Sequence, residues 1–444
     1  MLPRAGTNTK GIRLRNVGIV MPDLEEKEKR GIVMSSRRSF IKQTLGGSAA
    51  LAASGFLASR GVLGANERIR FGLIGGGDRG KEIFHAAIRC PNVEAVAVAD
   101  VYTRRLDEVK AIVPSLRTYK DFRQLLDDKT IDAVLIATPQ HQHALNFGPA
   151  IQAGKDVYQE KTMAFNPDHA RRMKKAFEGS GRVVQVGIQA ISSPGFGTIG
   201  EMVAAGKLGT ITALHTHHYR NEPYGGWTRT IPNDCDPQHV DWQAFQGEAT
   251  PYPFDPQRYM NWRFFWDYDG SNVYENMVHQ VGFWYKLMGF NIPDSVTMTG
   301  ANLLSPKMQM PDTMDVSLLQ GKVLFTWNSM FGNNFYGEGH DLLLGNKGTV
   351  SRNQSDQVRF QPQGGEGLGV DTMFAITPEG GQTNGYFDAT DKHMQNFFEC
   401  MRSRKDPNCP FEIGYRSAIA CQMSIASYHR KRAVRWDAKT EDIV

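Results

Sequence analysis

Past residue 68, short runs rich in branched apolar residues alternate with stretches of helical spacing. Residues 69–74 (Ile-Arg-Phe-Gly-Leu-Ile) read as a strand, a glycine-rich turn follows, and the spacing through Glu82, Ile83 and Ala87 reads as a helix. A second strand over 93–99 ends in Asp100. A third over 131–137 runs into Thr138-Pro139-Gln140-His141-Gln142-His143, and a fourth over 156–158 runs into Gln159-Glu160-Lys161-Thr162. Strands separated by helices predict a doubly wound parallel sheet whose strand ends gather at the carboxyl edge, where such folds bind ligands. Farther along, the period shortens to two over 215–220, 295–299, 316–319, 323–327 and 341–344, which predicts a large, mostly antiparallel open sheet. Residues 414–429 predict a helix packed back on the first domain. The expected class is α/β, with a parallel-sheet domain over 66–190 and an α+β domain over 191–444.

The glycine turn carries chemistry because of where it stands, between a strand and a helix. Gly75 permits the tight turn, Gly77 lets backbone approach a pyrophosphate, and Gly80 allows close helix packing, while the helix N-terminus adds partial positive charge. Asp100, 20 residues after Gly80, is placed to accept hydrogen bonds from ribose hydroxyls and to repel a 2'-phosphate. NAD is therefore expected over NADP. Asp78 and Arg79 in the turn, and Thr138, Pro139, His143, Glu160 and Lys161 at the other strand ends, complete the expected cofactor set.

Upstream, Ser36-Arg37-Arg38-Ser39-Phe40-Ile41-Lys42 precedes a mild apolar run over 49–57 that ends in small residues near 63–65. This reads as a twin-arginine export signal over 34–65, used by proteins that leave the cytoplasm folded, so the cofactor is expected to be loaded beforehand and retained. Met34 offers an alternative start, making 1–33 an over-long, mixed-charge extension. The 444 residues carry a formal net charge of +5, part of it in the leader, which gives no nucleic-acid footprint. No apolar run reaches the roughly 20 residues of a membrane-spanning helix, so stable membrane insertion is not expected. Five scattered cysteines show no Cys-x-x-Cys spacing and argue against a zinc site or a disulfide framework.

In order and spacing, several motifs resemble the glucose-fructose oxidoreductase and inositol dehydrogenase family (Gfo/Idh/MocA). They are the glycine loop, Ile131-Asp132-Ala133-Val134 with Thr138-Pro139 and His143, Ala153-Gly154-Lys155-Asp156-Val157, Glu160-Lys161, Gly206-Lys207-Leu208-Gly209, Val240-Asp241-Trp242, Trp262-Arg263 and Gly345-Asn346-Lys347-Gly348. The resemblance implies that Lys161 lies beside a nicotinamide as proton shuttle or orienting donor. It implies too that His279 is a general base, that Glu275 shares its pocket, and that the open sheet supports a homodimer or homotetramer. Thr162 replaces the family's usual proline, Glu275 its usual Asp, and Gly282 stands where a further Asp often lies.

Glu275 and His279, four apart, would share one face of an α-helix. His215, His217 and His218 alternate along a strand, with no carboxylate at ligand spacing, so no metal is expected. In the aromatic stretch 259–268, Arg263 and Asp267 are candidates for binding sugar hydroxyls. The leading expectation is an exported NAD-dependent oxidoreductase acting on a sugar hydroxyl with a recycled cofactor, the proton managed by Lys161, Glu275 and His279. A redox-neutral glycosidase working by transient oxidation and elimination is the main alternative. A non-catalytic sugar sensor is the second.

Overall fold

A computed structural model describes residues 68–335, 339–364, 374–375 and 385–444. The export motif at 36–42, its flanks, and most of the glycine-rich piece 364–369 lie outside the described residues.

The first sheet has six parallel strands: β1 (Ile69–Ile74), β2 (Val93–Ala99), β3 (Arg117–Tyr119), β4 (Ala133–Ile136), β5 (Asp156–Gln159) and β6 (Val184–Val186). Their order is β3-β2-β1-β4-β5-β6, so the chain reverses its winding between β1 and β4. Connections leave these two strands in opposite directions, opening a crevice at their carboxyl ends. Gly75 follows β1, Thr138 follows β4, Lys161 follows β5 and Asp100 follows β2, all on that edge. β4 and, apart from exposed Arg70 near its start, β1 are buried on both faces, as apolar runs in parallel sheets require.

The second sheet contains β7 (Ile211–Tyr219), β8 (Ser295–Ala301), β9 (Thr313–Gln320), β10 (Val323–Met330), β11 (Gly339–Gly345), β12 (Gly348–Asn353), β13 (Val358–Pro362) and β14 (Phe374–Ala375). The order is β14-β13-β12-β11-β7-β10-β9-β8, antiparallel except where β7 pairs with β10. Its two faces differ. Met314, Val316 and Leu318 alternate inward on β9 and join a core with Phe283 and Trp284 of helix Val278–Met288 and with Ile419 and Met423 of helix Phe411–Arg430. On the other face, Leu319 and its register partner Leu324 are both exposed.

The predicted helix over 414–429 is longer, Phe411–Arg430, and spans both layers, with Phe411 packed against Phe147 and Phe177. A second helix, Gly385–Ser403, also returns to the first sheet: Met394, Phe397 and Phe398 enter a core with Phe71, Leu73 and Phe84. Residues far beyond 190 thus complete the first domain's hydrophobic layer. Among the described residues the cysteines are all free, and no helix is long and apolar enough to cross a membrane.

Candidate active site

A cavity of about 1470 Å³ runs along the carboxyl edge of the first sheet. Its floor includes Gly75, Gly77, Asp78, Arg79, Asp100, Thr138 and Pro139, as their positions in the sequence predict. Gly75 adopts φ +95°, and a Cβ there would lie 2.7 Å from the Ala137 carbonyl carbon, so the turn closes on β4 only with glycine. A Cβ on Gly80 would lie 1.9 Å from Gly75 O, so helix Asp78–Ile88 can pack this closely only without a side chain there. Gly77 meets nothing within 4 Å. Its face is open, which suits a ligand approaching the backbone. Asp100 accepts hydrogen bonds from Gly76 N (2.7 Å) and Tyr102 N (2.8 Å). Burial nonetheless holds its pKa above the usual carboxylate value.

A segment of the second domain forms the opposite wall through Trp227, Arg229, Phe245, Tyr259, Trp262 and Arg263. It is tied to the first domain at many points. Val240 bridges Tyr102, Asp241 N donates to Val101 O (2.8 Å), and Thr103 N donates to His239 O (3.1 Å). Tyr102 Oη donates to Asp234 (2.7 Å), Arg229 Nε to Asp78 (3.1 Å), and Arg172 pairs with Glu248 (2.6 Å). This strap, residues 221–262, had no signal in local periodicity.

Behind Arg263 lies a cluster centred on Glu275; Lys161, Glu275 and His279 do not themselves line the cavity, which they meet through Arg263. The carboxylate accepts from Gln140 Nε2 (2.6 Å) and Lys161 Nζ (3.1 Å) and pairs with Arg263 Nε (3.1 Å); Lys161 also donates to the Glu275 carbonyl (2.9 Å). Burial raises the Glu275 pKa, but the two cations more than reverse that and bring it to about 2. Glu275 is thus a fixed anion that anchors Lys161, and it does not trade protons near neutral pH. Asp269 is a buried acid of the opposite kind. Burial and the charge on Glu275 hold its pKa well above the usual range, and neither side-chain oxygen has a hydrogen-bond partner.

His279 stands apart from this lattice. Among the described residues neither ring nitrogen makes a hydrogen bond. Burial, then the charges of Lys161 and Arg79, lower its pKa well below the ordinary value, so the ring is neutral at neutral pH. The expected α-helical face shared by Glu275 and His279 is not what forms: Val273–Met277 is a π-helical turn, and the α-helix begins at Val278. The wider i→i+5 turn changes how residues four apart line up, and such insertions recur at functional sites. Gly282 has a packing reason, since a Cβ there would lie 2.3 Å from Ile188 Cδ1.

Three expected site residues take supporting positions. His143 is buried between Thr162 O (2.8 Å) and Thr138 O (2.9 Å), a bracket between two strand-end loops. Glu160 is buried and receives Arg79 (Nη2, 2.8 Å) and Gln189 (3.1 Å), fixing the arginine that follows Asp78. Asp267 does not line the cavity; it pairs with Arg258 (2.9 Å), whose guanidinium lies over Phe265. Thr162 uses its hydroxyl, donating to Tyr274 O (2.7 Å) and joining the lysine loop to the π turn. On β7, His215 meets Thr326 (2.7 Å) and His217 stacks on Tyr219; among the described residues no three metal-ligating side chains converge.

Residues 69–188 match the model of an oxidoreductase family with an NAD-binding Rossmann fold, GFO_IDH_MocA. Over these residues the first domain is similar to that family's NAD-binding Rossmann fold. Curated relatives include an inositol 2-dehydrogenase of Rubrobacter xylanophilus, 34% identical over 157 residues (35% of this chain, 45% of the relative). Another is the uncharacterized oxidoreductase YrbE of Bacillus subtilis, 26% identical over 198 residues (44% and 54%). The chain spans about half the length of the curated relatives it matches. Solved structures extend the likeness of fold to the second domain. Levoglucosan dehydrogenase in complex with NADH and levoglucosan matches at TM-score 0.65 and 17% identity, covering 83% of this chain and 99% of the other. The WlbA dehydrogenase of Bordetella pertussis, in complex with NADH and UDP-GlcNAcA, matches at TM-score 0.62 and 21% identity, with coverage of 83% and 99%.

Proposed function

We propose that this protein is an exported NAD-dependent oxidoreductase that oxidises a hydroxyl-bearing carbon of a sugar or sugar derivative. The observation that carries the reading is the inner cluster: Lys161 held by both the carboxylate and the carbonyl of Glu275, beside a neutral His279 with no partner of its own. The residues present fit the dinucleotide, since Gly77 leaves its face open, Asp100 lines the cavity, and no side chain stands between Gly75 and the helix it turns into. When bound, the nicotinamide supplies the hydride acceptor. His279 takes the hydroxyl proton, while the Lys161 ammonium donates to the same oxygen and orients it. Glu275, itself held by Gln140, keeps that lysine in place. The reading of NAD over NADP is supported by Asp100, which lines the cavity at the carboxyl end of β2, and by nearby Arg105, which is already paired with Glu108 (2.8 Å).

Export by the twin-arginine route is supported by Arg37-Arg38 and the apolar run after them. Retention of the cofactor is supported by the strap, and self-association through the open sheet by the exposed Leu319 and Leu324. The test is to follow nicotinamide absorbance and product release while the purified protein meets a panel of sugars and aryl glycosides. A net absorbance change supports the dehydrogenase. Aglycone release without it would move the assignment to a redox-neutral glycosidase, and binding without either would leave a sensor. Lys161→Met and His279→Ala are expected to cut turnover about 10²- to 10⁴-fold while the protein still holds nucleotide. Full activity in either variant sinks the assigned roles.

A further inference from the structure

Seven arginines line the cavity, and six of them have a carboxylate of their own. Arg79 pairs with Glu160, Arg105 with Glu108, Arg123 with Asp121, Arg172 with Glu248, Arg229 with Asp78 and Arg263 with Glu275. Arg220 alone has none among the described residues. It follows β7 directly; its Nη1 donates to Gly225 O (2.8 Å), its Nε is buried without a partner, and its guanidinium carbon lies 6.0 Å from the Trp227 ring centre. A guanidinium that keeps its charge in a half-enclosed wall, without a carboxylate, calls for an anion from outside the chain.

Arg263 strengthens the case. It shares the single Glu275 carboxylate with Lys161, and its two Nη groups make no hydrogen bond among the described residues. Its guanidinium lies 4.2 Å from the Trp262 ring centre. Tyr224 stacks on Phe264 at 5.2 Å, so the segments bearing the two arginines run side by side. Two forked donors, each backed by an indole, match the planar oxygens of a carboxylate or phosphate.

We propose that Arg220, with Arg263 beside it, forms an anion subsite, so that the substrate is a sugar bearing a carboxylate or a phosphate. This rests on the dehydrogenase reading and narrows it. A neutral sugar leaves Arg220 unsatisfied, whereas an acidic one binds with its anion on the two arginines and its reacting hydroxyl toward Lys161 and His279.

The test pairs matched sugars on the nucleotide-loaded protein: glucose with glucuronate, galactose with galacturonate, and glucose with glucose 6-phosphate. Turnover is read by absorbance and binding by calorimetry. The acidic member is expected to be favoured about tenfold to a hundredfold, the worth of one charge-assisted pair, and less so in high salt. Preference for the uronates points to a carboxylate, and preference for the phosphate to a phosphoryl group. Arg220→Gln should erase the difference, and Arg220→Lys should keep part of it. Equal or better use of neutral sugars overturns the subsite and leaves the dehydrogenase standing. If none of the acidic sugars binds, the subsite also falls. A variant that loses NAD affinity while keeping the acid preference would reassign Arg220 to the cofactor.

Discussion

Single atoms decide what the glycine loop can accept. A methyl at Gly77 points into open space, so Gly77→Ala should cost the fold about 1 kcal/mol or less while obstructing a dinucleotide. At Gly80 the same methyl strikes Gly75 O, so the turn itself must move. Thermal melts with nucleotide titration separate the two: Gly77→Ala is expected to melt near the parent and bind NAD at least about tenfold more weakly, and Gly80→Ala to lose both stability and binding. Equal affinity in Gly77→Ala and the parent would place the pyrophosphate elsewhere. These glycines and Asp100 were legible because a turn between a strand and a helix is specified by neighbours in sequence. Lys161 was legible by resemblance, and Arg263 from the aromatic stretch around it. Acidic residues in an aromatic stretch look alike in sequence, so Asp267 reads as a candidate ligand; only tertiary packing turns it to Arg258 and buries Asp269 near Glu275. Gln140 was visible at a strand's carboxyl end, but nothing local tied it to residue 275.

Among the elements, the strap and the π turn were hidden in the sequence for different reasons. Residues 221–262 contain only short helical turns, and what fixes them is contact with the first domain. The π turn passes for ordinary helix because its residues have ordinary helical spacing. Asp234 holds the strap twice, through buried Tyr102 and through Arg104 (2.7 Å each). Asp234→Ala is therefore expected to speed NADH release by about an order of magnitude, the scale of one lost charge-assisted hydrogen bond, with little change in the chemical step. Stopped-flow fluorescence of bound NADH measures this, and an unchanged release rate would remove the strap from cofactor retention. The strands read from sequence, by contrast, followed from apolar pattern alone, since burial of both faces makes a continuous apolar run and burial of one face marks every second residue; β3, β6 and β12 to β14 were not read.

Across the whole molecule, buried histidines set the response to acid. His141, His143 and His393 are almost fully enclosed, and burial lowers each to about 4 from an ordinary value near 6.5. His218 and His279 are lowered as well. The folded chain resists protonation that the unfolded chain accepts, so stability is retained above pH 6.5 and falls as pH drops from there toward 4. Each of the three contributes on the order of 3 kcal/mol to that loss. Melting temperature should be flat from pH 7 to 8 and decline steeply below 6. A flat profile down to pH 4.5 would mean these rings are not neutral in the fold.

The helix Gly385–Ser403 supplies Met394, Phe397 and Phe398 to the first sheet, whose own strands are finished by Val186. About two hundred residues of polypeptide are thus synthesised between the last strand of that sheet and the helix that seals it. During that interval Phe71 keeps Phe84 but lacks Phe398, and one apolar face of the first sheet stays open to water or to a chaperone. Every residue that lines the cofactor cavity is made before that helix, so the ribosome delivers the cavity's parts ahead of the layer that backs them.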